Sequence, residues 1–501
     1  MAADTTEVAS TEVPAVELLN PDTCFASIQD LDYRVDTFDV AHSGEVESFR
    51  DLFADAPGIL TFRGNPARNA MVTELERQPD SLCVEWTFVT KTDNRKTSHG
   101  SWGGGTGWTG QPLYVEWPDS LASHYKALGT MKAEAGRREV IFASLCSQLY
   151  FVDFETGEPS REPIYVNHPI KGTPLIDPTL NGLVYVGHGV KADSAPWGQI
   201  VVDLEKHAIK QEFGVDRRAW RGWGAYDSSP LRFGNFVFRP GENGTLYKWL
   251  VSADTVTLHS TLRYRKKGAG APGVESSMSV WRNYGYLNDN HGNVLCVNLN
   301  TLKPVWRYDN HDDSDGTPVV SVEGDSVFVY SGCEVDRKAA AACCHFVKLD
   351  AMTGTKVWED TTTSRQAFAM GKHFDGGYYA TPLLGRGACE DLVFVNRVLN
   401  TKNLNGELVA FEKATGRQRY TVPLRHYAWS SPIGFVSKDG KFTIFTGDTA
   451  GNAYLIDGET GEVLYRQRVG SNFESSPIAV GNSVVLGSRG NKVFKMRLLT
   501  R

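Results

Sequence analysis

Apolar and polar residues alternate through much of this chain, and Gly-containing turns interrupt the alternation at short intervals. The stretch after Pro432 shows the pattern: "FTIFTG" alternates, a turn follows, and "NAYLID" and "VLYRQRV" continue the alternation. Alternation with a period of two residues is typical of half-buried β-strands. Together with the apolar run that directly follows the proline, the stretch predicts a four-stranded antiparallel meander.

A short motif of small polar residues, usually followed by proline, precedes each such stretch. Its copies recur at intervals of 40 to 64 residues, a period typical of solenoids, propellers or arrays. We interpret the motif as architecture: it begins the inner strands around a central channel, where small side chains fit and proline removes no ladder hydrogen bond. The eight copies end at Pro112, Pro174, Pro230, Met278, Pro318, Pro382, Pro432 and Pro477.

A second recurring feature is the turn "DAMTGTKVW" at Asp350–Trp358, with relatives at Phe154–Pro159, Glu412–Tyr420 and Asp457–Tyr465. Asp or Thr can close such a turn by side-chain hydrogen bonds, and Gly takes the positive φ. The aromatic residue that follows is expected between neighbouring sheets. Eight repeated four-stranded sheets predict an all-β protein, an eight-bladed β-propeller of antiparallel blades.

The ends of the chain predict how the ring closes. The last copy has room for three strands, and Ser81–Thr90 resembles the outer strand at Lys303–Asp309. We expect this N-terminal strand to complete the C-terminal blade, which removes the open edge. The chain then divides into a partly flexible leader, 1–57, and a single propeller, 58–501. A segment with helical periodicity, 118–138, interrupts blade one and is expected either to cover part of one face as a lid or to be a solvated insertion.

Composition narrows the function. The 501 residues carry a net charge of −7 and a pI near 6.0, which argues against nucleic acid as a partner because phosphate binding needs a basic face. No apolar run is long enough to span a membrane, and the N-terminus lacks the features of a signal peptide. Eight cysteines are too few for a disulfide scaffold of this length. No HExxH, paired CxxC or GxSxG motif supports hydrolysis by zinc or by serine.

The intact turn at Asp350, Thr353, Gly354 and Trp358 resembles the quinoprotein repeat of eight-bladed propellers. That superfamily includes pyrroloquinoline-quinone (PQQ) alcohol dehydrogenases and the lipoprotein that helps to assemble outer-membrane proteins. "FRGNPARNA" at Phe62–Ala70 is similar to the segment before the first blade of such proteins. The likeness implies the fold over about residues 58–501, and it implies a periplasmic or extracellular location.

For a dehydrogenase, the resemblance implies a quinone between a Trp and a vicinal disulfide, a Ca²⁺ on its carbonyl and an Asp base. Cys343–Cys344 is a vicinal pair. It follows an Ala-rich loop in blade five rather than lying in an early blade. We therefore interpret the pair as two partly buried thiols and do not expect PQQ.

The loops that lead into each inner strand, and the hairpins between second and third strands, are expected on one face of a propeller. They carry more His, Tyr, Arg and carboxylate residues than a structural propeller needs. We therefore predict a ligand site at the channel mouth. The predicted ligand-binding residues are Trp108, Lys171, Tyr226, Asp227, Glu242, Glu275, His291, Arg337, Asp375, Tyr378, Tyr427, Trp429, Glu474 and Arg489.

Two stretches, "KHFDGGYYATP" at Lys372–Pro382 and "HYAWSSP" at His426–Pro432, lead into adjacent blades. Their aromatic and charged side chains suit a sugar ring with hydroxyls or a uronate charge. They could also perform acid/base chemistry, with His as base, Tyr as acid and Arg neutralising a carboxylate during β-elimination. The predicted catalytic residues are His373, Tyr379, His426 and Arg397.

Two further loops carry expectations. Asp312, Asp313 and Asp315 share one loop, which suits Ca²⁺ although the spacing is not that of an EF-hand. The Gly-rich stretch Ser101–Gly110 is not a phosphate cradle, since neither GK[ST] nor a helix follows it. We expect it to lie across the channel mouth.

The function that these observations favour is an extracytoplasmic propeller whose polar top face binds a hydroxylated ligand, in the first instance a carbohydrate. Non-redox cleavage of that ligand, as by a lyase, is part of this hypothesis. Two alternatives stay open: a non-catalytic scaffold with a protein partner, and a quinone-dependent alcohol dehydrogenase.

Overall fold

The structure is a computed structural model that describes residues 23–46, 51–97, 99–108, 110–252, 255–369 and 371–500. Residues 1–22 of the predicted leader lie outside these ranges. Eight antiparallel sheets, blades one to eight, surround a central channel, which confirms the predicted fold. From the channel outwards, the strands of blade one are Leu113–Glu116, Arg138–Ala143, Gln148–Asp153 and Ile164–Tyr165, and those of blade two are Leu175–Ile176, Leu183–Gly187, Gln199–Asp203 and Ala208–Phe213. The strands of blade three are Leu231–Phe233, Phe236–Gly241, Thr245–Val251 and Val256–Lys266. The strands of blade four are Ser279–Trp281, Tyr284–Asn288, Asn293–Asn298 and Pro304–Asp309.

Blades five to eight have the same order. The strands of blade five are Val319–Glu323, Ser326–Gly332, Cys343–Asp350 and Lys356–Thr363, and those of blade six are Leu383–Leu384, Leu392–Val398, Gly406–Glu412 and Gln418–Pro423. The strands of blade seven are Ile433–Ser437, Phe442–Gly447, Asn452–Asp457 and Val463–Arg468. The strands of blade eight are Ile478–Val480, Ser483–Ser488, Lys492–Leu499 and Ser81–Val89.

The Gly-containing turn before the outer strand of blade five shows how neighbouring blades join. The Asp350 carboxylate accepts hydrogen bonds from the backbone N–H and the hydroxyl of Thr353, at 2.9 Å each, and Gly354 has a φ of 71°. Trp306, from the outer strand of the preceding blade, lies on this glycine, where a Cβ would be 2.6 Å from the indole. Its indole N–H donates to the Ala351 carbonyl at 3.0 Å. The turn therefore needs Gly both for its φ and for the aromatic side chain above it.

The motif that precedes each inner strand forms a relay of hydrogen bonds around the channel. The backbone N–H of Ser229 donates to the Ser277 hydroxyl at 2.9 Å, and the Ser277 N–H donates to the Thr317 hydroxyl at 2.9 Å. Thr381 and Ser431 form the same bond, also at 2.9 Å. The small size of Ser and Thr does not by itself explain why they occur in this motif, because each hydroxyl also accepts a hydrogen bond from a backbone N–H of the preceding blade.

The first and last parts of the chain meet in blade eight. Ser81–Val89 pairs antiparallel with Lys492–Leu499 and forms the outer strand of that blade. Trp86 of this strand lies on Gly157 of blade one, so the same aromatic-on-glycine joint closes the ring. The sheet edge that an open ring would expose is covered.

Short additional elements decorate the ring. Leu31–Thr37, within the predicted leader, pairs with the outer strand of blade three, and Val72–Leu75 runs parallel to the inner strand of blade seven. The remaining strands and the 3₁₀-helices are Gly58–Ile59, Thr92–Thr97, Gly100–Gly104, Glu334–Val335, Ala367–Ala369, Lys372–Phe374 and Gly376–Gly377, with Ala26–Ile28, Ala339–Ala341 and Gly387–Cys389.

The segment with helical periodicity contains the α-helix Asp119–Ala127. It connects the first and second strands of blade one, so it lies at the end of the blade opposite the lead-in loops. His124 contacts Glu205, in the turn between the third and fourth strands of blade two, at 3.1 Å. The idea that this helix covers the channel mouth is therefore wrong. Among the described residues, no helix combines the length and apolarity required to cross a bilayer.

Candidate functional site on the top face

Six carboxylates from the lead-in loops and hairpins of blades three to five converge at the channel mouth. They form two groups, and within each group the ligating oxygens lie within 4.8 Å of one another. We call the set the carboxylate mouth; its members are Asp227, Glu242 and Glu275 in one group, and Asp313, Asp315 and Glu334 in the other.

One lysine partly balances this charge. The Lys171 ammonium lies 2.5 Å from an Asp227 oxygen and 3.9 Å from a Glu275 oxygen, and 4.4 Å from the centre of the Trp108 ring. Among the described residues, the other Asp227 oxygen and one oxygen each of Glu242 and Asp313 are buried without a hydrogen-bond partner. Buried, unpartnered carboxylate oxygens are costly, so the mouth is short of positive charge.

Burial changes the protonation of these groups. It raises the pKa of Asp227 to about 7, and burial together with neighbouring carboxylates raises the pKa of Glu242 and of Glu334 well above the usual range. Burial by itself would lower the pKa of Lys171, but Asp227 and Glu275 raise it above its ordinary value. Lys171 therefore stays charged, while the raised pKa values mean that the buried carboxyls of the mouth favour a bound proton, for which a cation would compete.

The Gly-rich segment Ser101–Gly110 lies across this mouth, as its sequence predicted; Thr109 is outside the described residues. The indole N–H of Trp108 donates to Glu275 at 3.1 Å, and Trp102 packs edge-on against Trp108 at 6.0 Å. Arg489, in the blade-eight hairpin, also binds this segment, which we call the cover: its guanidinium donates to the Trp102 carbonyl at 3.1 Å. The Gly-rich segment therefore covers the mouth.

An open pocket of about 700 Å³ lies beside the mouth, over the top of blade seven. We call it the arginine pocket. Five cationic side chains line it, with Glu474 as its carboxylate. The pocket is lined by Lys372, Phe374, Leu404, Arg425, His426, Tyr427, Thr449, Ala450, Asn452, Arg466, Arg468, Ser471, Asn472, Glu474 and Arg489.

The charges of the arginine pocket are free to meet a ligand. Arg425, Arg466 and Arg468 are exposed, and no carboxylate of the described part of the chain forms an ion pair with them. Glu474 is committed to Arg489, at 3.2 Å. The pocket therefore presents a net positive surface within an acidic protein.

An aromatic cluster separates the two regions. Trp429 stacks on Tyr379 at 4.7 Å and contacts Tyr427 at 5.2 Å and Trp108 at 5.7 Å. Phe374 lies 5.9 Å from Tyr427 on the pocket side. These rings extend from Trp108 at the mouth to Tyr427 and Phe374 in the arginine pocket.

The four residues predicted to be catalytic do not come together. His426 lines the arginine pocket, with its Nδ1 2.5 Å from the Thr449 hydroxyl. His373 is exposed on the hairpin next to Phe368. Tyr379 is buried beside the carboxylate mouth, with its hydroxyl 3.3 Å from Asp375. Arg397 is buried in ion pairs with Glu407 at 2.6 Å and Asp360 at 3.2 Å. Their catalytic roles stay predictions.

The predicted ligand-binding residues divide between the two regions. At the mouth or its border lie Trp108, Lys171, Asp227, Glu242, Glu275, Arg337, Asp375 and Trp429, and in the arginine pocket lie Tyr427, Glu474 and Arg489. Tyr226 and Tyr378 are buried below the surface, against Arg239 and Arg397 respectively. His291 is half-buried in the blade-four hairpin, where its N–H donates to Asp289.

The loop predicted to bind Ca²⁺ contributes two of its three carboxylates to the mouth. Asp313 and Asp315 lie with Glu334. Asp312 instead accepts hydrogen bonds from the backbone N–H groups of Asp336, Arg337 and Lys338, at 2.9 to 3.2 Å. Asp312 orders the neighbouring hairpin, and Glu334 of that hairpin is the third carboxylate of the group.

Sequence reasoning missed the outer-strand arginines. Arg466 and Arg468 are two residues apart in "YRQR", so they lie on one face of the strand that ends at the top of blade seven. That spacing was a usable signal. Trp102, which packs against Trp108 over the mouth, is a second residue that was not predicted.

Comparisons with known proteins agree with the fold. The family model described as "Outer membrane protein assembly factor BamB" matches residues 404–500. A europium-containing methanol dehydrogenase superposes with a TM-score of 0.58 at 13% identity, covering 89% of this chain and 99% of that one. The quinohemoprotein alcohol dehydrogenase from Comamonas testosteroni gives 0.59 at 12% identity, covering 90% and 82%. No curated protein matches the sequence. The predicted resemblance to quinoprotein-type propellers is thus confirmed for the fold.

The residues at the top face do not fit PQQ. Cys343 and Cys344 are free thiols at the start of a blade-five strand, and the buried Cys344 sulfur lies 3.6 Å from the Thr362 carbonyl oxygen. PQQ is itself polyanionic, whereas among the described residues the six carboxylates of the mouth form ion pairs with Lys171 and Arg337 alone, beneath a tryptophan cover. We derive no step through this cofactor.

Proposed function

We propose that this chain, with the fold of the quinoprotein-type eight-bladed propellers, is an extracytoplasmic binding protein for an acidic saccharide. The observation that carries the proposal is the arginine pocket, where exposed, unpaired arginines surround about 700 Å³ of open space. The extracytoplasmic location rests on the fold resemblance.

The chemistry of the pocket supports a carboxylated sugar. Guanidinium groups bind carboxylates in a bidentate manner, and Arg466 and Arg468 project from the same face of one strand. Asn452, Asn472 and Thr449 add amide and hydroxyl groups suited to sugar hydroxyls. The chain as a whole is acidic, which disfavours long nucleic acids.

We propose binding without cleavage. Of the four residues predicted to act in catalysis, only His426 lines the pocket. Burial lowers the pKa of His426, so its imidazole is neutral at pH 7, and its Nδ1 is already engaged with the Thr449 hydroxyl.

The test measures binding of tetragalacturonate by calorimetry at low salt, with cellotetraose as the neutral analogue. Arg466→Gln/Arg468→Gln should weaken binding on the order of ten- to a hundred-fold, since each charge-assisted hydrogen bond contributes about 1.5–3 kcal/mol. The matched control is Arg417→Gln/Arg419→Gln, which removes two exposed arginines of blade six that pair with Glu412. The control should bind like the wild type.

Three outcomes contradict the proposal. Equal affinity for cellotetraose would mean that charge does not matter, and equal loss in both double variants would mean that the pocket does not matter. Binding of neither saccharide by the wild type would favour the scaffold function.

A further inference from the structure

A cluster of two histidines and a glutamate lies outside both regions, at the junction of blades four and five. His311 belongs to the loop after the outer strand of blade four, and His345 and Glu359 belong to the third and fourth strands of blade five. One Glu359 oxygen lies 2.8 Å from His311 Nε2 and 3.0 Å from His345 Nδ1. The two imidazole rings stack with their centres 3.8 Å apart.

We propose that His311, His345 and Glu359 bind a divalent transition ion of the Zn²⁺ type. The three ligand atoms lie within 4.8 Å of one another. Ligands bonded to one tetrahedral zinc at about 2.0 Å lie about 3.3 Å apart, so small side-chain shifts make room for the ion. Two imidazoles and a carboxylate favour zinc over calcium, which prefers oxygen ligands.

The surroundings of the cluster support such a site. Lys356 pairs with the second Glu359 oxygen at 2.6 Å and so orients the first one towards the histidines, which is the role of an outer partner in metal sites. The His311 side chain is 46% exposed while that of His345 is 17% exposed. An ion can therefore enter from solvent, and a water can complete its coordination.

Binding there would affect the carboxylate mouth. The ion would tie the loop that contains His311 to blade five, and the same loop carries Asp313 and Asp315. Its backbone is already constrained, since His311 has a φ of 74° and its carbonyl accepts a hydrogen bond from Lys338. The ion would act as a clamp that stabilises the folded state.

The experiment titrates untagged, chelator-treated protein with ZnCl₂, and separately with CaCl₂. We expect one zinc per chain, and His345→Ala and Glu359→Gln should each weaken its binding at least ten-fold. Zinc should raise the Tm of the wild type and leave the Tm of both variants unchanged. CoCl₂ should give the visible absorption of a tetrahedral ion in the wild type alone.

The matched control is His124→Ala, which removes a histidine from a similar surface pair with Glu205 at 3.1 Å where the described residues supply no second histidine. It should bind zinc like the wild type. Melting of the metal-free variants shows that they are folded. Zinc binding that is unchanged in both site variants would place the ion elsewhere, for example in the carboxylate mouth, and would overturn the proposal. Absence of zinc binding would overturn it too, and neither result affects the saccharide proposal.

Discussion

The carboxylate mouth and the arginine pocket lie side by side on one face of the propeller, and they treat charge in opposite ways. The mouth gathers six carboxylates, four of them buried and two, Glu275 and Asp315, partly buried, and Lys171 lies against Trp102 and Trp108 there. The pocket exposes Arg425, Arg466 and Arg468 to solvent. The aromatic cluster around Trp429 separates them.

The difference shows how burial decides what a charged group can do. An exposed arginine keeps its hydration until a ligand arrives, so it costs the fold little. A buried carboxylate has lost its water and must gain a proton or a cation. At the mouth, pH should therefore change the free energy of unfolding, whereas in the pocket the exposed arginines are available to bind an anionic ligand.

The variant with the largest expected effect is Lys171→Met, which removes the ammonium group of Lys171 from the mouth and tests whether buried charge controls stability there. We expect a loss of about 3–5 kcal/mol in the free energy of unfolding at pH 8, because one partner of a buried ion pair is left alone. The loss should be smaller at pH 5, where Asp227, with its pKa raised to about 7, is protonated. Urea unfolding at the two pH values measures the difference.

The double variant Lys171→Met/Asp227→Asn is the control for that experiment. Removing both partners leaves no isolated charge, so stability at pH 8 should largely recover. If the double variant is as unstable as the single one, the lysine acts through packing against Trp108 rather than through charge.

A second variant, Glu334→Gln, tests the pH dependence itself. Burial raises the pKa of Glu334 above that of the unfolded chain. A raised pKa means that the folded state binds the proton more tightly, so the stability it contributes is present at low pH and falls as the pH rises towards the folded pKa. Glu334→Gln should therefore stabilise the protein at pH 8 relative to pH 4, by on the order of 1–2 kcal/mol.

Glu412 provides a control of opposite sign. It is partly buried at the surface of blade six, and hydrogen bonds from Arg417 lower its pKa to about 2. Its contribution is present at neutral pH and is lost as the pH falls, so Glu412→Gln should not stabilise the protein at pH 8. Equal effects of Glu334→Gln at pH 4 and pH 8 would contradict the interpretation of the mouth.

The sequence predicted the fold well because the fold depends on local, repeated features. The turn at Asp350 and Gly354 needs particular residues at fixed spacing, and the aromatic residue Trp306 at the same spacing in the preceding blade packs on that turn. The lead-in loops could be assigned to one face because blade topology fixes which connections share an end. The same rule, applied to 118–138, would have placed that helix on the opposite face.

The site was predicted less completely because its contacts join distant parts of the chain. Arg397 looked suitable for catalysis in sequence, but Glu407 and Asp360 engage it within the fold. Asp312 does not join Asp313 and Asp315 at the mouth because a hairpin 24 to 26 residues away supplies N–H donors to its carboxylate. No local pattern reports such pairings.

The smallest expected effect comes from Arg489, which belongs to both regions. Its guanidinium pairs with Glu474 on the pocket side and donates to the Trp102 carbonyl in the cover of the mouth. Arg489→Gln should lower the free energy of unfolding by up to about 1 kcal/mol, since the pair is partly exposed, and should weaken tetragalacturonate binding a few-fold. Arg425→Gln is the matched control: it lies in the pocket without touching the cover, so it should weaken binding and leave urea unfolding unchanged. If both variants change saccharide binding and neither changes stability, the Gly-rich segment over the mouth does not depend on the arginine pocket, and the two regions are independent. If Arg489→Gln also lowers the free energy of unfolding, this one arginine couples the arginine pocket to the carboxylate mouth.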